Sequence, residues 1–290
     1  MEDSILTAVV LPVSLAIIML GMGMTIVTDD FKRVFLYPKA AFLGLTNQLI
    51  ILPLIGFTLS IVCGLSPEMA VGIMIIACCP GGATSNLITH VSKGDIALSI
   101  TLTAITNLIT VFTIPIVLSY ALVYFANHSS MEAIRLPVVK TIVQIMVITI
   151  IPVSIGMVIK KYKNDFALKM ERPMRLASTV IFALVVIVIV VANKDSIFIF
   201  LRKIGWVVFA LNITTMAIGY FSARLFRLNL KQTISITIDS GIQNGALAIV
   251  IATSILKHAE MSIPAAVYSL MMFFTSGVLM WHFGRRTTDL

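Results

Sequence analysis

Nine times along the chain the sequence stays apolar for long enough to cross a bilayer: residues 5–27, 40–62, 68–91, 96–124, 136–159, 176–193, 203–226, 232–256 and 264–283. A hydrocarbon layer of about 30 Å asks for about 20 apolar residues in a helix. The runs do not alternate in ten-residue segments, as the strands of a membrane barrel would. Only 12% of the residues are charged, about half the share usual in soluble domains. Little chain remains outside the runs. Residues 1–290 therefore read as a single transmembrane domain, an all-α polytopic membrane protein of nine transmembrane helices. The first run follows Glu2 and Asp3 rather than a basic segment, and it is too long for the apolar part of a cleaved leader, so it reads as a retained helix.

The net charge of +8 would by itself admit a nucleic-acid partner, and its placement argues against one. With the N-terminus outside, the outer segments hold Arg135, Lys140, Lys194, Arg202, Lys203 and Lys257, and the other 15 of the 21 basic residues fall inside. That asymmetry predicts a multi-pass protein of the cell membrane with its N-terminus outside and its C-terminus cytoplasmic. The partner implied is the lipid bilayer. Residues 160–175, KKYKNDFALKMERPMR, read as a solvated, positive cytoplasmic loop, with an anionic membrane surface as the alternative contact. Cys63, Cys78 and Cys79 fall within or at the end of apolar runs, with no CxxC pair; they read as packing residues.

Two runs are interrupted. In the third, Pro80, Gly81 and Gly82 sit mid-span; in the eighth, Gly241 and Gly245 bracket Ile242, Gln243 and Asn244. Proline withholds a donor and glycine frees the backbone, and the polar neighbours make a break more credible than close packing alone. The two runs are five helices apart, so they cross in opposite directions. Helices one to four then correspond to six to nine, an inverted repeat whose paired discontinuous helices mark a site near the midplane.

Of 13 acidic residues only Asp239 lies deep within a run. A buried carboxylate there costs about 3 kcal/mol on insertion scales and is a functional candidate that needs a partner. No Lys or Arg lies as deep, which leaves a captured cation or a proton. Oxygen-bearing side chains are at hand: Gln48, Ser85, Asn86, Gln243, Asn244, and Ser99, Thr103 and Asn107, whose i, i+4, i+8 spacing puts them on one helix face. Such ligands suit hard cations, and one carboxylate among neutral oxygens suits a monovalent ion. The half-helix starts near Ala83 and Gln243 offer unpaired N–H groups to an anion. A single deep carboxylate without a second acid, metal cluster or Ser/His pair is poor equipment for an enzyme. The reading is a cation-coupled carrier with an anion-tolerant site.

CCPGGATSN (78–86), KGDIALS (93–99), DSGIQN (239–244) and LGMGMTIVTDDFKRVFLYPK (20–39) together resemble the bile acid:sodium symporter family over nearly the whole chain. The resemblance implies a core domain at about 40–124 and 203–283, in which the broken helices cross, and a panel domain at about 5–27 and 136–193. It implies two sodium sites. One would use Ser85, Asn86, Ser99, Thr103 and Asp239; the other would use Gln48, Gln243, Asp239 and backbone carbonyls near Ser240 and Ile242. Ala83, Thr84 and Asn244 would face an organic anion, bile-acid-like or a small carboxylate such as pantoate. The family usually has glutamate where this chain has the shorter Asp239, and commonly a polar residue near Ala83. The alternative on the same fold is a proton-coupled or uncoupled carrier, for example an arsenite efflux protein in which Cys78 and Cys79 bind a soft oxyanion.

Overall fold

A computed structural model describes residues 6–127, 136–192 and 197–286. Among them the chain is helical: α1 (Leu11–Gly23), α2 (Thr28–Leu36), α3 (Pro38–Val62), α4 (Pro67–Cys78), α5 (Ala83–Val91), α6 (Ile96–Asn127), α7 (Val138–Tyr162), α8 (Asn164–Ala192), α9 (Ile197–Leu225), α10 (Leu230–Gly241), α11 (Gly245–Ile255) and α12 (Ile263–Arg286). Five helical stretches are long and apolar enough to cross a membrane, and a sixth is added if α1 and α2, bent by 65°, form one span. Large apolar side chains face outward along them, such as Leu54, Ile116, Ile155, Leu184, Trp206 and Phe274. In water such a surface would aggregate; in lipid it is solvated. The fold is that of an all-helical, multi-pass membrane protein.

Proline explains a recurrent local feature. The wide turns Leu6–Val10, Asn47–Ile51 and Met146–Ile150 each precede a proline by two residues: Pro12, Pro53 and Pro152. A proline ring removes one helical hydrogen bond and crowds the preceding carbonyl, and a turn of i→i+5 bonds makes room. The turn in α3 sits at Asn47 and Gln48 and sets the direction in which Gln48 leaves its helix. Helix ends are closed by residues in the left-handed region, Gly64, Lys93 and Arg227. The following amides reach back five residues, Leu65 N to Ser60 O, Gly94 N to Thr89 O and Leu228 N to Ala223 O, which satisfies carbonyls the helix leaves free.

Packing brings α1 against α7 and α8, α4 against α3 and α6, and α9 against α10 and α12. The α1–α7 crossing is backbone on backbone. A Cβ on Gly23 would stand 2.2 Å from Val153 O, and one on Gly156 would stand 2.4 Å from Leu20 O.

Residues 160–175 differ from the expected loop. α7 continues to Tyr162, the chain bends at Lys163, and α8 begins at Asn164 and runs through Pro173. The stretch has no glycine, and Ala167, Leu168, Lys169, Met170 and Glu171 are strong helix formers. Its polarity reflects exposure, not irregular backbone. The second half-helix also starts later than expected, at Gly245, with Asn244 as its cap rather than Gln243.

Candidate functional site

The two breaks meet. α4 stops at Cys78, and Cys79 and Gly82 are extended; α10 stops at Gly241, and Ile242 is extended. Gly81 and Gln243 pair as an antiparallel bridge. Gly82 N donates to Ile242 O at 3.3 Å and Asn244 N to Pro80 O at 2.9 Å. Thus backbone groups that Pro80 and the glycines release from helices are partly satisfied by the opposite break. A Cβ on Gly82 would stand 3.1 Å from Gln243 O, and one on Gly81 would stand 3.2 Å from Gln48 Nε2 and 3.5 Å from Thr103 Oγ1. The site needs glycine here because other polar groups already occupy that space.

Each of the last carbonyls of α10 is held from elsewhere. Gln48 Nε2 donates to Asp239 O at 2.7 Å, and Gln243 Nε2 to Ser240 O at 3.2 Å. Gly241 O accepts from Asn212 Nδ2 at 2.8 Å and from Tyr268 Oη at 2.9 Å. Ile242 O takes Gly82 N. Because the amide nitrogens must face these carbonyls, the amide oxygens of Gln48, Gln243 and Asn212 are forced the other way. All three are buried without a hydrogen-bond partner among the described residues.

Asp239 is 1% exposed. Its Oδ1 lies 2.8 Å from Ser99 Oγ, and Ser99 Oγ lies 2.9 Å from Asn86 Oδ1. One hydroxyl proton thus faces two acceptors, and Thr89 Oγ1, 3.4 Å away, already offers Ser99 a donor. Ser85 Oγ, Asp239 Oδ2 and Thr103 Oγ1 are likewise buried and without a hydrogen-bond partner among the described residues. Unpaired buried oxygens are rare and costly. So many around one carboxylate form a set short of positive charge, and one that a hard cation would satisfy. Among the described residues no three His, Cys, Asp or Glu side chains gather as a metal cluster, and the carboxylate, hydroxyl and amide oxygens present are of the kind that suit hard cations.

The fold therefore brings Gln48, Ser85, Asn86, Ser99, Thr103, Asp239 and Gln243 to one crossing. Ser240 contributes its carbonyl there, while its side chain lies against α9, 2.8 Å from where a Cβ on Gly219 would stand. Ile242 contributes its carbonyl too. Asn107 lies one turn beyond Thr103, donating to Thr103 O at 2.7 Å. The side chain of Ala83 lies outside what is described, although its backbone opens α5. Asn212 and Tyr268 were not expected. Asn212 did carry a signal, an amide in the middle of the run 203–226.

A cavity of about 370 Å³ opens beside the crossing. Thr84, Asn86, Gln243 and Asn244 line it where it meets the crossing, and Ile18, Met22, Leu87, Ile100, Phe182 and Phe273 give it an apolar lining. Asn244 Nδ2 is buried and has no hydrogen-bond partner among the described residues, while its Oδ1 caps α11 by accepting from Leu247 N at 3.0 Å. An unspent donor at a half-helix start suits an anionic group.

Residues 12–199 match the profile described as the Sodium Bile acid symporter family. The chain is 28% identical over 276 residues to a protein of Bacillus subtilis (strain 168) named "Uncharacterized sodium-dependent transporter YocS", covering 94% of this chain and 82% of that one. It is 26% identical over 267 residues to "Probable sodium/metabolite cotransporter BASS1, chloroplastic" of Arabidopsis thaliana, covering 92% of this chain and 65% of the plant protein. It is 28% identical over 246 residues to the "Ileal sodium/bile acid cotransporter" of Homo sapiens, covering 84% and 69%.

Proposed function

The chain belongs to the sodium bile acid symporter family, and from that premise we propose that it is a sodium-coupled secondary symporter of organic anions working by alternating access. The observation that carries the reading is Asp239 buried among unpartnered oxygens where two broken helices cross. Two sodium ions fit the inventory. The Ser85, Asn86, Ser99, Thr103 and Asp239 oxygens would hold one. Gln48 Oε1, Gln243 Oε1 and the carbonyls of Ser240 and Ile242 would hold the other, with Asp239 serving both. The relatives' names support sodium as the ion and a bile acid or another metabolite as cargo.

If α4 with α5, and α10 with α11, each make one interrupted span, and α1 and α8 also cross, the chain has nine spans. The close packing of α1 on α7 and α8 supports a panel at about 5–27 and 136–193. The packing of α3 to α6 with α9 to α12 supports a core at about 40–124 and 203–283. The distribution of basic residues supports an outer N-terminus and a cytoplasmic C-terminus. On that orientation Arg175, which lines the cavity, lies toward the cytoplasmic side.

Sodium would bring the missing positive charge to the crossing and order the half-helix starts. Thr84, Asn244 and the backbone start of α5 at Ala83 would then receive the acidic group, as in a bile-acid-like anion, pantoate or a keto acid. Proton coupling or arsenite efflux finds less support: Cys78 and Cys79 are buried and are not among the residues lining the cavity. Reconstituted protein should accumulate such an anion from sodium medium and lose that uptake when choline replaces sodium. Uptake that persists in choline and collapses with a protonophore would overturn the reading.

A further inference from the structure

The apolar flank of the cavity ends in a second polar pole. Gly245, at the break, marks the level of Phe182 on α8, because a Cβ there would stand 3.1 Å from Phe182 Cζ. Arg175 precedes Phe182 by two helical turns on the same wall, about 10 Å nearer the mouth at 1.5 Å per residue. His90 follows Thr84 along α5 by about 9 Å on the same count. Both side chains are exposed and line the cavity. One arises from the helix that leaves the first break and one from α8, and each lies about 10 Å along its helix from a residue at the crossing level.

Arg175 is lightly engaged. Its Nη2 makes one contact, 3.2 Å to Glu171 Oε1, and both side chains are 45% exposed. Such pairs contribute little and exchange readily, whereas a guanidinium offers a carboxylate two parallel donors. His90 provides an N–H in either protonation state. Glu171 and Arg175 both line the cavity, and the segment they belong to, residues 160–175, carries six basic and two acidic side chains, a field that favours an acid over an amine as the incoming group.

We propose that the cavity takes an elongated anion with two acidic groups, one at the crossing beside Asn244 and the other about 10 Å away, drawn from Glu171 onto Arg175 with His90 beside it. This rests on the anion-transport reading and specifies its substrate: a dianion with an apolar middle, which Ile18, Leu87, Ile100 and Phe273 would flank. A ligand of this length touches both walls, so its far end acts as a specificity element.

The test uses calorimetric titration of the purified full chain in sodium buffer with nonanoate, nonanedioate and butanedioate. Nonanedioate has an extended length near the separation of the poles, and butanedioate is too short to span it. Nonanedioate should bind at least about fivefold more tightly than nonanoate, the scale of one charge-assisted contact. Arg175→Gln should erase that preference while leaving nonanoate affinity unchanged, and His90→Gln should reduce it. Equal affinities for the two nine-carbon anions in the parent, or a preference that survives Arg175→Gln, or butanedioate binding as well as nonanedioate, would overturn the second pole and leave the transport reading standing. Binding of none of the three would count against both.

Discussion

Two helix crossings in this molecule are both built on glycine, and they have opposite chemistry. At the α1–α7 crossing, Gly23 and Gly156 let intact helices touch backbone to backbone. What each glycine meets there is backbone of the other helix, and each glycine still lies within its own helix. At the α4/α5–α10/α11 crossing, Gly81 and Gly82 let two broken helices touch. There the helical bonds are given up, strangers replace them, and several oxygens are left with nothing. The first crossing is built for stability. The second holds buried polar groups without hydrogen-bond partners among the described residues, an arrangement that the bound ion of the proposed function would relieve.

The comparison breaks most easily at the first crossing. Gly156→Leu should cost about 3 kcal/mol or more, because overpacking against backbone has no rotamer to relieve it. The expected result is loss of monodisperse protein in detergent, with or without sodium. Gly82→Ala at the second crossing should cost only about 1 kcal/mol in sodium-free melting, since its neighbour Gln243 O has to give by a few tenths of an ångström. Its larger effect should be on the sodium concentration needed for half-maximal uptake. If Gly82→Ala lowers the sodium-free melting temperature as much as Gly156→Leu does, the distinction between the crossings fails.

Asn212 and Tyr268 sharpen the contrast, since both hold Gly241 O without touching the cavity. Tyr268→Phe removes one of two donors to that carbonyl, a loss of about 1 kcal/mol. It should raise the half-saturating sodium concentration several-fold while leaving anion affinity at saturating sodium unchanged. A matched change in both would mark Tyr268 as ordinary packing. At the small end, Gly277 has nothing within 4 Å of a notional Cβ. Gly277→Ala should be neutral or stabilising by up to about 1 kcal/mol, as for an unneeded glycine inside a helix, when melting is followed in detergent.

Much of this was legible in the sequence. Apolar runs are a one-dimensional property, so an all-helical membrane protein could be read from them, and five to six of the described helical stretches are long and apolar enough to span. Pro80–Gly81–Gly82 and Gly241–Gly245 broke that pattern visibly, and Asp239 stood out because no other acid lies as deep. The side chains brought to the crossing from α3, α5 and α6 were visible as oxygens in apolar runs. What could not be read was tertiary. Asn212 and Tyr268 serve a carbonyl 29 and 27 residues away, and nothing local announces that pairing. Phe182 and Arg175 on α8 line the same cavity as His90 on α5, a grouping of residues about 90 positions apart that no local pattern announces. The helix at 164–175 was obscured by its own charge: polarity predicts exposure, and exposure was mistaken for a loop.

The central claim is that Asp239 needs a captured alkali ion, and sodium-dependent melting tests it directly. Purified parent protein should melt higher as sodium chloride replaces choline chloride, by the equivalent of about 2.7 kcal/mol at a hundredfold excess over the dissociation constant. Asp239→Asn, which keeps the shape and removes the charge, should be at least as stable as the parent in choline and should gain little from sodium. A sodium-dependent rise of equal size in both proteins would contradict the account.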